Sequence, residues 1–75
     1  MEVYVYADEV DVRLHEGSFL LNVNLNILEE FFNKNKHKFK EKDFEDWKDN
    51  INRDYLIGFF DFAQEKNAIN SSHYV

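Results

Sequence analysis

The residue types that carry out catalysis are few and scattered in this 75-residue chain. The three histidines are His15, His37 and His73, and no two of them stand four positions apart to form a helical pair of metal ligands. The chain has no cysteine, and none of its serines stands in a Gly-x-Ser-x-Gly turn. Its two glycines cannot build a glycine-rich phosphate loop. We therefore expect no catalytic residue, no metal and no cofactor.

Neighbouring carboxylates are the remaining route to chemistry. Glu29 stands beside Glu30, and Asp61 stands four residues before Glu65; within a cleft such pairs can perform acid–base work. On exposed helix faces such carboxylates interact with water and carry out no chemistry. We expect a protein that is not an enzyme, and a dry cleft holding two carboxylates and a histidine would reverse this expectation.

The lysine-rich stretch KNKHKFKEK, residues 34–42, has two interpretations. Its five lysines are Lys34, Lys36, Lys38, Lys40 and Lys42. In one interpretation they contact phosphates while Phe39 stacks on a base. In the other they form a solvated connection, because lysines at the end of one helix and acids at the start of the next complement the helix macrodipoles. The second is favoured, since the rest of the chain is strongly acidic and would repel nucleic acid.

Acidic residues run through the whole sequence, whose formal net charge is −6. We expect one acidic group to contact a basic partner surface: Asp43, Glu45, Asp46 and Asp49. A net charge of this size is also ordinary for a soluble domain, so charge alone does not decide between binding and solubility.

The N-terminal third predicts antiparallel strands. Val10 to Leu14 alternate apolar and polar residues, and Phe19 to Leu25 continue the alternation after a turn at Glu16-Gly17. An upstream strand around Val3 and Val5 has the opposite phase, which requires a turn or bulge at residues 7–9. We assign the sheet to about residues 2–25, as a hairpin or a three-stranded meander.

Helical signals fill most of the remainder. Asn26 followed by Glu29 predicts the start of a helix over 26–35, with Leu28, Phe31 and Phe32 facing the core. Residues 36–42 form the lysine-rich loop. Asp43 followed by Asp46 predicts a second start, and the helical pattern runs to 67 with a break near 50–54, leaving a tail at 68–75. The class is α+β with two or three helices.

The segment YLIGFFDFA, residues 55–63, has one charged residue and is apolar almost all round. In one interpretation it forms a homodimer seam or a partner-binding patch through Tyr55, Leu56, Ile57 and Phe60. In the other, the first helix covers these residues within one chain. Gly58 would permit close helix approach or be a tolerated weak point.

Size and composition limit the remaining possibilities. One 75-residue domain without cysteine fits a reducing cytoplasm, and the longest apolar run, six residues, is too short to cross a bilayer. The start, MEVYVYADE, lacks the continuous apolar region of a secretory signal. We expect a cytoplasmic protein of a bacterium or of a phage-infected cell.

The combined expectation is a non-enzymatic, acidic protein-binding module that occludes a basic surface of a larger, nucleic-acid-processing protein. By analogy of size and charge alone, it is similar to phage and mobile-element inhibitors of the anti-CRISPR or anti-restriction kind. Two alternatives remain: a toxin-neutralising immunity protein or antitoxin, and a small nucleic-acid-associated regulator that uses the lysine stretch. A homodimer is compatible with each, nucleic acid is not the expected partner, and no membrane association is expected.

Overall fold

The computed structural model describes residues 2–13 and 19–74 and has an α+β architecture. Its four strands form one antiparallel sheet in the order β1-β2-β3-β4, with the bounds Glu2–Tyr6, Glu9–Arg13, Phe19–Asn24 and Ile69–Tyr74. Three helices stand between β3 and β4 in the chain: α1 Leu25–Asn35, α2 Phe44–Asp49 and α3 Phe59–Glu65. Single 3₁₀ turns, Lys36–Lys38 and Arg53–Leu56, lie between successive helices.

One face of the sheet forms the floor of the core. The predicted alternation is confirmed: Val10 pairs with Val23, Val12 pairs with Leu21, and all four side chains are fully buried. The predicted change of phase before β2 is also confirmed, because residues 7 and 8 form a turn in which Ala7 has a φ of 51°. The predicted Glu16-Gly17 turn lies outside the described residues.

The prediction of a tail at 68–75 is wrong, because Ile69–Tyr74 is a strand that pairs with β3. The turn into it begins at Asn67, which adopts a φ of 53° after α3. The N–H groups of Asn67 and Ala68 donate to the carbonyls of Gln64 and Ala63, the bond pattern of a Schellman motif. This motif ends α3 and directs the chain back along the sheet.

The opposite face of the sheet carries a polar ladder. Asn22 Nδ2 donates to Asp11 Oδ1 at 2.7 Å, and Asn70 Nδ2 lies 2.9 Å from the amide oxygens of both Asn22 and Asn24. Asn70 reaches them because the register between β3 and β4 shifts at this point, as in a β-bulge.

Helix α1 begins earlier than the sequence pattern predicts. The strand β3 passes directly into the helix at Leu25. The N–H of Leu25 donates to the carbonyl of Asp8 at 2.7 Å. The predicted cap at Asn26 is therefore wrong, because this residue already lies inside the helix. The predicted core positions are confirmed: Leu28, Phe31 and Phe32 are buried.

The second helical region is divided as predicted. The side chain of Asp43 accepts a hydrogen bond from the Asp46 N–H at 3.3 Å and caps α2, which ends at Asp49. Gly58 has a φ of 84° and is the N-cap of α3, and a Cβ placed on it would meet no atom within 4 Å. Its role is thus to supply a left-handed turn, and neither predicted role, close approach or tolerated weak point, applies.

An aromatic cluster fills the core beneath α2. Trp47 is fully buried and packs against four rings, those of Phe32, Phe39, Phe44 and Tyr55, at centroid distances of 5.1 to 6.1 Å. We call these five residues the Trp47 cluster. The ring pairs are stacked or tilted, and such contacts between aromatic rings add to the stabilisation that burial supplies.

Candidate functional site

The lysine stretch is a tight connection between α1 and α2. Lys34 lies in the last turn of α1, and Lys36 Nζ stands 5.7 Å from the Phe32 ring centroid. Lys42 Nζ donates to the carbonyls of Phe39 and Lys36, which holds the connection closed. Lys34 Nζ lies 5.5 Å from the Phe62 ring centroid, so three of the five lysines, Lys34, Lys36 and Lys42, make contacts within the fold.

Phe39, which the sequence offered for base stacking, is part of the Trp47 cluster. Its side chain is 7% exposed, and its ring contacts those of Phe32, Trp47 and Tyr55. The idea that Phe39 stacks on a base is therefore wrong, because the core already occupies the faces of its ring. A phosphate-contacting patch would have to act through lysines alone.

The acidic group at 43–49 lies on the exposed side of α2, while Trp47 faces inward. Asp43 caps the helix, and Glu45 forms an ion pair with Lys48 at 2.8 Å. Within the described part of the chain, the carboxylates of Asp46 and Asp49 form no ion pair. These two carboxylates face solvent.

The apolar segment 55–60 is divided between core and surface. Leu56 is 5% exposed and belongs to the core, so its predicted role in an interface is wrong. Tyr55 and Phe60 are half-buried against the core. Ile57 is 74% exposed, the largest exposure among the large hydrophobic side chains described. Helix α1 lies beside Ile57 without covering it.

Ile57 stands at a groove between the C-terminal half of α1 and residues 54–65. The groove consists of two adjoining depressions of about 290 Å³ and about 230 Å³. Both are lined by Phe31, Asn35, Lys38 and Ile57. The first is completed by Phe39, Asp54 and Tyr55, and the second by Lys34, Gly58, Asp61, Phe62 and Glu65. We call this feature the Ile57 groove.

The walls of the Ile57 groove differ in charge. Lys34 and Lys38 come from the α1 side, whereas Asp54, Asp61 and Glu65 come from the other wall. The floor is aromatic, because Phe31 meets Phe62 edge-to-face with ring centroids 5.4 Å apart. Such a groove suits a ligand segment with an apolar centre and charges of both signs.

Two ammonium groups flank the Phe62 ring. Lys34 Nζ lies 5.5 Å and Lys66 Nζ 5.6 Å from the ring centroid, both within the range of cation–π attraction. Lys66 also reaches Glu30 on α1 at 3.5 Å. These contacts bring the C-terminal end of α3 against α1 and maintain one wall of the groove.

Tyr55 connects the Ile57 groove to helix α2. Its ring stacks on Trp47 with an interplanar angle of 1°, and its hydroxyl donates to the carboxylate of Glu41. That hydrogen bond lowers the pKa of Glu41 and raises the pKa of Tyr55, because it stabilises the ionised carboxylate and the protonated phenol. Because Tyr55 lines the groove and stacks on Trp47 of α2, its ring lies between the groove and that helix.

Among the described residues, no group of three or more histidine and carboxylate side chains could hold a metal ion. His37 is exposed on the turn after α1, and the positions predicted to pair, Glu29 with Glu30 and Asp61 with Glu65, are exposed on helix surfaces. In the same part of the chain, no helix has the length and apolar character that a membrane crossing requires.

Comparisons of this chain with models of protein families, with curated proteins and with solved structures find no match.

The groove combines residues that the sequence analysis treated separately. It joins Lys34 and Lys38 of the lysine stretch to Tyr55 and Ile57 of the apolar segment, and it leaves the acids of α2 outside its lining. Sequence reasoning missed Phe31 as its floor. The usable signal for Ile57 was the helical projection, in which this residue lies nearly opposite the core stripe that contains Trp47, Tyr55 and Phe59.

Proposed function

We propose that this chain is a non-enzymatic protein-binding module that occludes a basic surface of a nucleic-acid-processing protein, in the manner of phage and mobile-element inhibitors. The observation that carries the proposal is the 74% exposure of Ile57 at the mouth of a groove with an aromatic floor. An exposed aliphatic side chain beside a groove with an aromatic floor gives a partner apolar surface to bury.

The charge around this anchor supports a basic partner. Three carboxylates, Asp54, Asp61 and Glu65, line the Ile57 groove against two lysines, Lys34 and Lys38. The solvent-facing carboxylates of α2 add further negative charge nearby. In such an interface Ile57 supplies the buried anchor, while the carboxylates steer the encounter and replace phosphates on the partner's nucleic-acid site.

The lysine stretch gives less support to the alternative of a nucleic-acid-associated regulator. Phe39 is in the core, and Lys36 and Lys42 are engaged in contacts within the fold. A toxin-neutralising protein would use the same acidic surface and would differ only in the partner it meets.

A capture experiment tests the proposal. The immobilised chain is exposed to heparin-purified nucleic-acid-binding proteins, and bound proteins are released with competing duplex DNA. We expect wild type to retain a protein that DNA displaces, and Ile57→Ser and the double variant Asp46→Asn/Asp49→Asn to retain much less. Glu29→Gln, an exposed acid on α1, and Tyr6→Ser, an exposed apolar residue on β1, are the matched controls and should behave as wild type.

Two outcomes would reject the proposal. In the first, DNA fails to release the captured protein, or capture persists in both the Ile57 variant and the α2 variant. Either result would mean that this surface does not mimic a phosphate backbone. Direct binding of labelled duplex DNA by the chain, abolished by Lys38→Gln/Lys40→Gln and falling steeply with salt, would favour the regulator instead.

A further inference from the structure

The two edges of the sheet are protected very differently. The edge strand β4 has the polar sequence INSSHY and a register shift where Asn70 joins the polar ladder. The other edge strand, β1, reads EVYVY and pairs with β2 in regular register. Natural edges are usually blunted by charged side chains, by proline or by bulges; β1 has no proline and no bulge, and its one charged residue, Glu2, stands at its end.

Both faces of β1 present apolar surface at this edge. Val5 points to the helical side of the sheet and is 42% exposed, and Tyr6 points to the opposite side and is 56% exposed. Within the described chain, no strand pairs with the outer edge of β1. The occupant that satisfies a row of edge N–H and C=O groups is another extended strand.

The sequence of β1 is suited to pairing with itself. The strand runs from Glu2 to Tyr6 with Tyr4 at its centre, and valines stand on both sides of Tyr4. In an antiparallel pair centred on Tyr4, the Val3 of one copy lies opposite the Val5 of the other, and the two Tyr4 residues face each other. Valine pairs and aromatic pairs are favourable cross-strand neighbours.

We propose that two copies of this chain pair antiparallel through β1, centred on Tyr4, and form one continuous sheet of eight strands, four from each copy. A register centred on one residue keeps the same face of the sheet on the same side in both copies, because side chains alternate with a period of two. The helices of both copies then lie on one side of the joint sheet.

Charge favours a second copy at this edge despite the acidic composition. The formal charges within β1 are confined to Glu2, which in this register lies opposite Tyr6 of the other copy at the two ends of the pair, so two chains of net charge −6 meet along a centre without formal charge. The repulsion that remains is between the bodies of the two copies and is screened by salt. Self-association should therefore strengthen as salt is added, whereas partner binding through the acidic surface should weaken.

A charge-swap experiment with light scattering tests the pairing and its register. We expect wild type to have twice the chain mass of 9.1 kDa and to dissociate on dilution. Tyr4→Lys and Tyr4→Glu should each be monomeric, because like charges face each other at the centre of the pair, and an equimolar mixture of the two should regain the dimer mass. Ser72→Lys on the opposite edge and Ile57→Lys at the groove are controls that should remain dimeric.

A cross-linking variant keeps the proposal testable where the charged variants fail to fold. The chain is free of cysteine, so Tyr4→Cys introduces a single thiol. Directly opposite residues have Cα atoms about 4.5 to 5.5 Å apart, within disulfide range, and oxidation should link the two copies quantitatively. Ser72→Cys should not link. A monomeric wild type at every concentration, a dimer that Ile57→Lys splits, or a dimer that both Tyr4 charge variants leave intact would overturn the proposal.

Discussion

The Trp47 cluster and the Ile57 groove draw on the same stretch of chain, residues 44–62, but the first is interior and the second is surface. Trp47, Phe44 and Tyr55 pack with rings from α1 and the lysine connection, whereas Ile57 stays 74% exposed. The helix break explains the difference. Ile57 stands in the short extended link between the 3₁₀ turn that ends at Leu56 and the left-handed turn at Gly58, so its side chain belongs to neither helix.

Apolar character alone does not assign a residue to the core. Leu56 and Ile57 are adjacent aliphatic residues with opposite environments. The 3₁₀ turn Arg53–Leu56 directs the Leu56 side chain inward. Ile57, the residue after it, has an extended backbone, and its side chain points out to the groove.

The largest effect is expected at the centre of the Trp47 cluster. Trp47→Ala removes a fully buried ring, and we expect a loss of about 3 to 5 kcal/mol in the free energy of unfolding, a large part of what a domain of this size has. Urea denaturation followed by far-ultraviolet circular dichroism measures it. Trp47→Phe is the control and should cost much less, because it keeps an aromatic ring and removes an indole N–H that has no hydrogen-bond partner in the described structure. Equal losses in both variants would contradict this packing.

A smaller effect is expected at the turn that separates the two regions. Gly58→Ala places a Cβ on a residue with a φ of 84°, and we expect a loss of about 1 to 2 kcal/mol from backbone strain alone, since no atom stands near enough to clash. Gly58→Asn should cost less, because asparagine tolerates the left-handed region better. Thermal unfolding of both variants measures the difference. An alanine variant as stable as wild type would show that this left-handed turn is not required.

The start of α2 offers a test of similar kind. Asp43→Ala removes the cap of the helix that carries Trp47, and we expect a loss of about 1 kcal/mol. The matched variant is Asn26→Ala, at the position where the sequence pattern wrongly predicts a cap. It lies exposed inside α1, so this change should cost nothing or stabilise slightly. The reverse ranking in urea denaturation would contradict both assignments.

The smallest effect is expected from the hydrogen bond that joins the two regions, and it depends on pH. The lowered pKa of Glu41 gives stability that is present above its ordinary value and is lost as the pH falls through the folded value. The raised pKa of Tyr55 gives stability that is present below its ordinary value and is lost as the pH rises through the folded value.

The stability gap between wild type and Tyr55→Phe should therefore be widest between about pH 5 and about pH 9. It should narrow on both sides of that range. Thermal unfolding of both proteins across pH measures the gap, and Glu41→Gln should flatten its acid side. A gap independent of pH would mean that the Tyr55–Glu41 bond does not form in solution.

Several parts of this fold could be predicted because their signals are local. The alternation at Val10 and Val12, the Asp43 cap and the change of strand phase near Ala7 each follow from a few neighbouring residues. The break after Asp49 followed from the size of the domain, since a helix from 43 to 67 would extend beyond it.

Other parts depend on contacts between distant residues. The strand β4 has the sequence INSSHY, whose asparagine and serines favour loops, and it is a strand because it pairs with β3. Phe39 stands among lysines, and only the fold brings its ring onto Trp47. The Ile57 groove joins Lys38 to residues 16 or more positions away in the chain, which no local pattern could show.

Leu56 and Ile57 mark the point where the chain divides its apolar residues between core and exposed surface. The most direct test is the unfolding free energy of Leu56→Ser and Ile57→Ser, measured side by side in urea. We expect Leu56→Ser to lose about 2 to 5 kcal/mol, and Ile57→Ser to stay within about 0.5 kcal/mol of wild type. Equal, large losses would contradict the account, because Ile57 would then be core and the groove would have no exposed anchor.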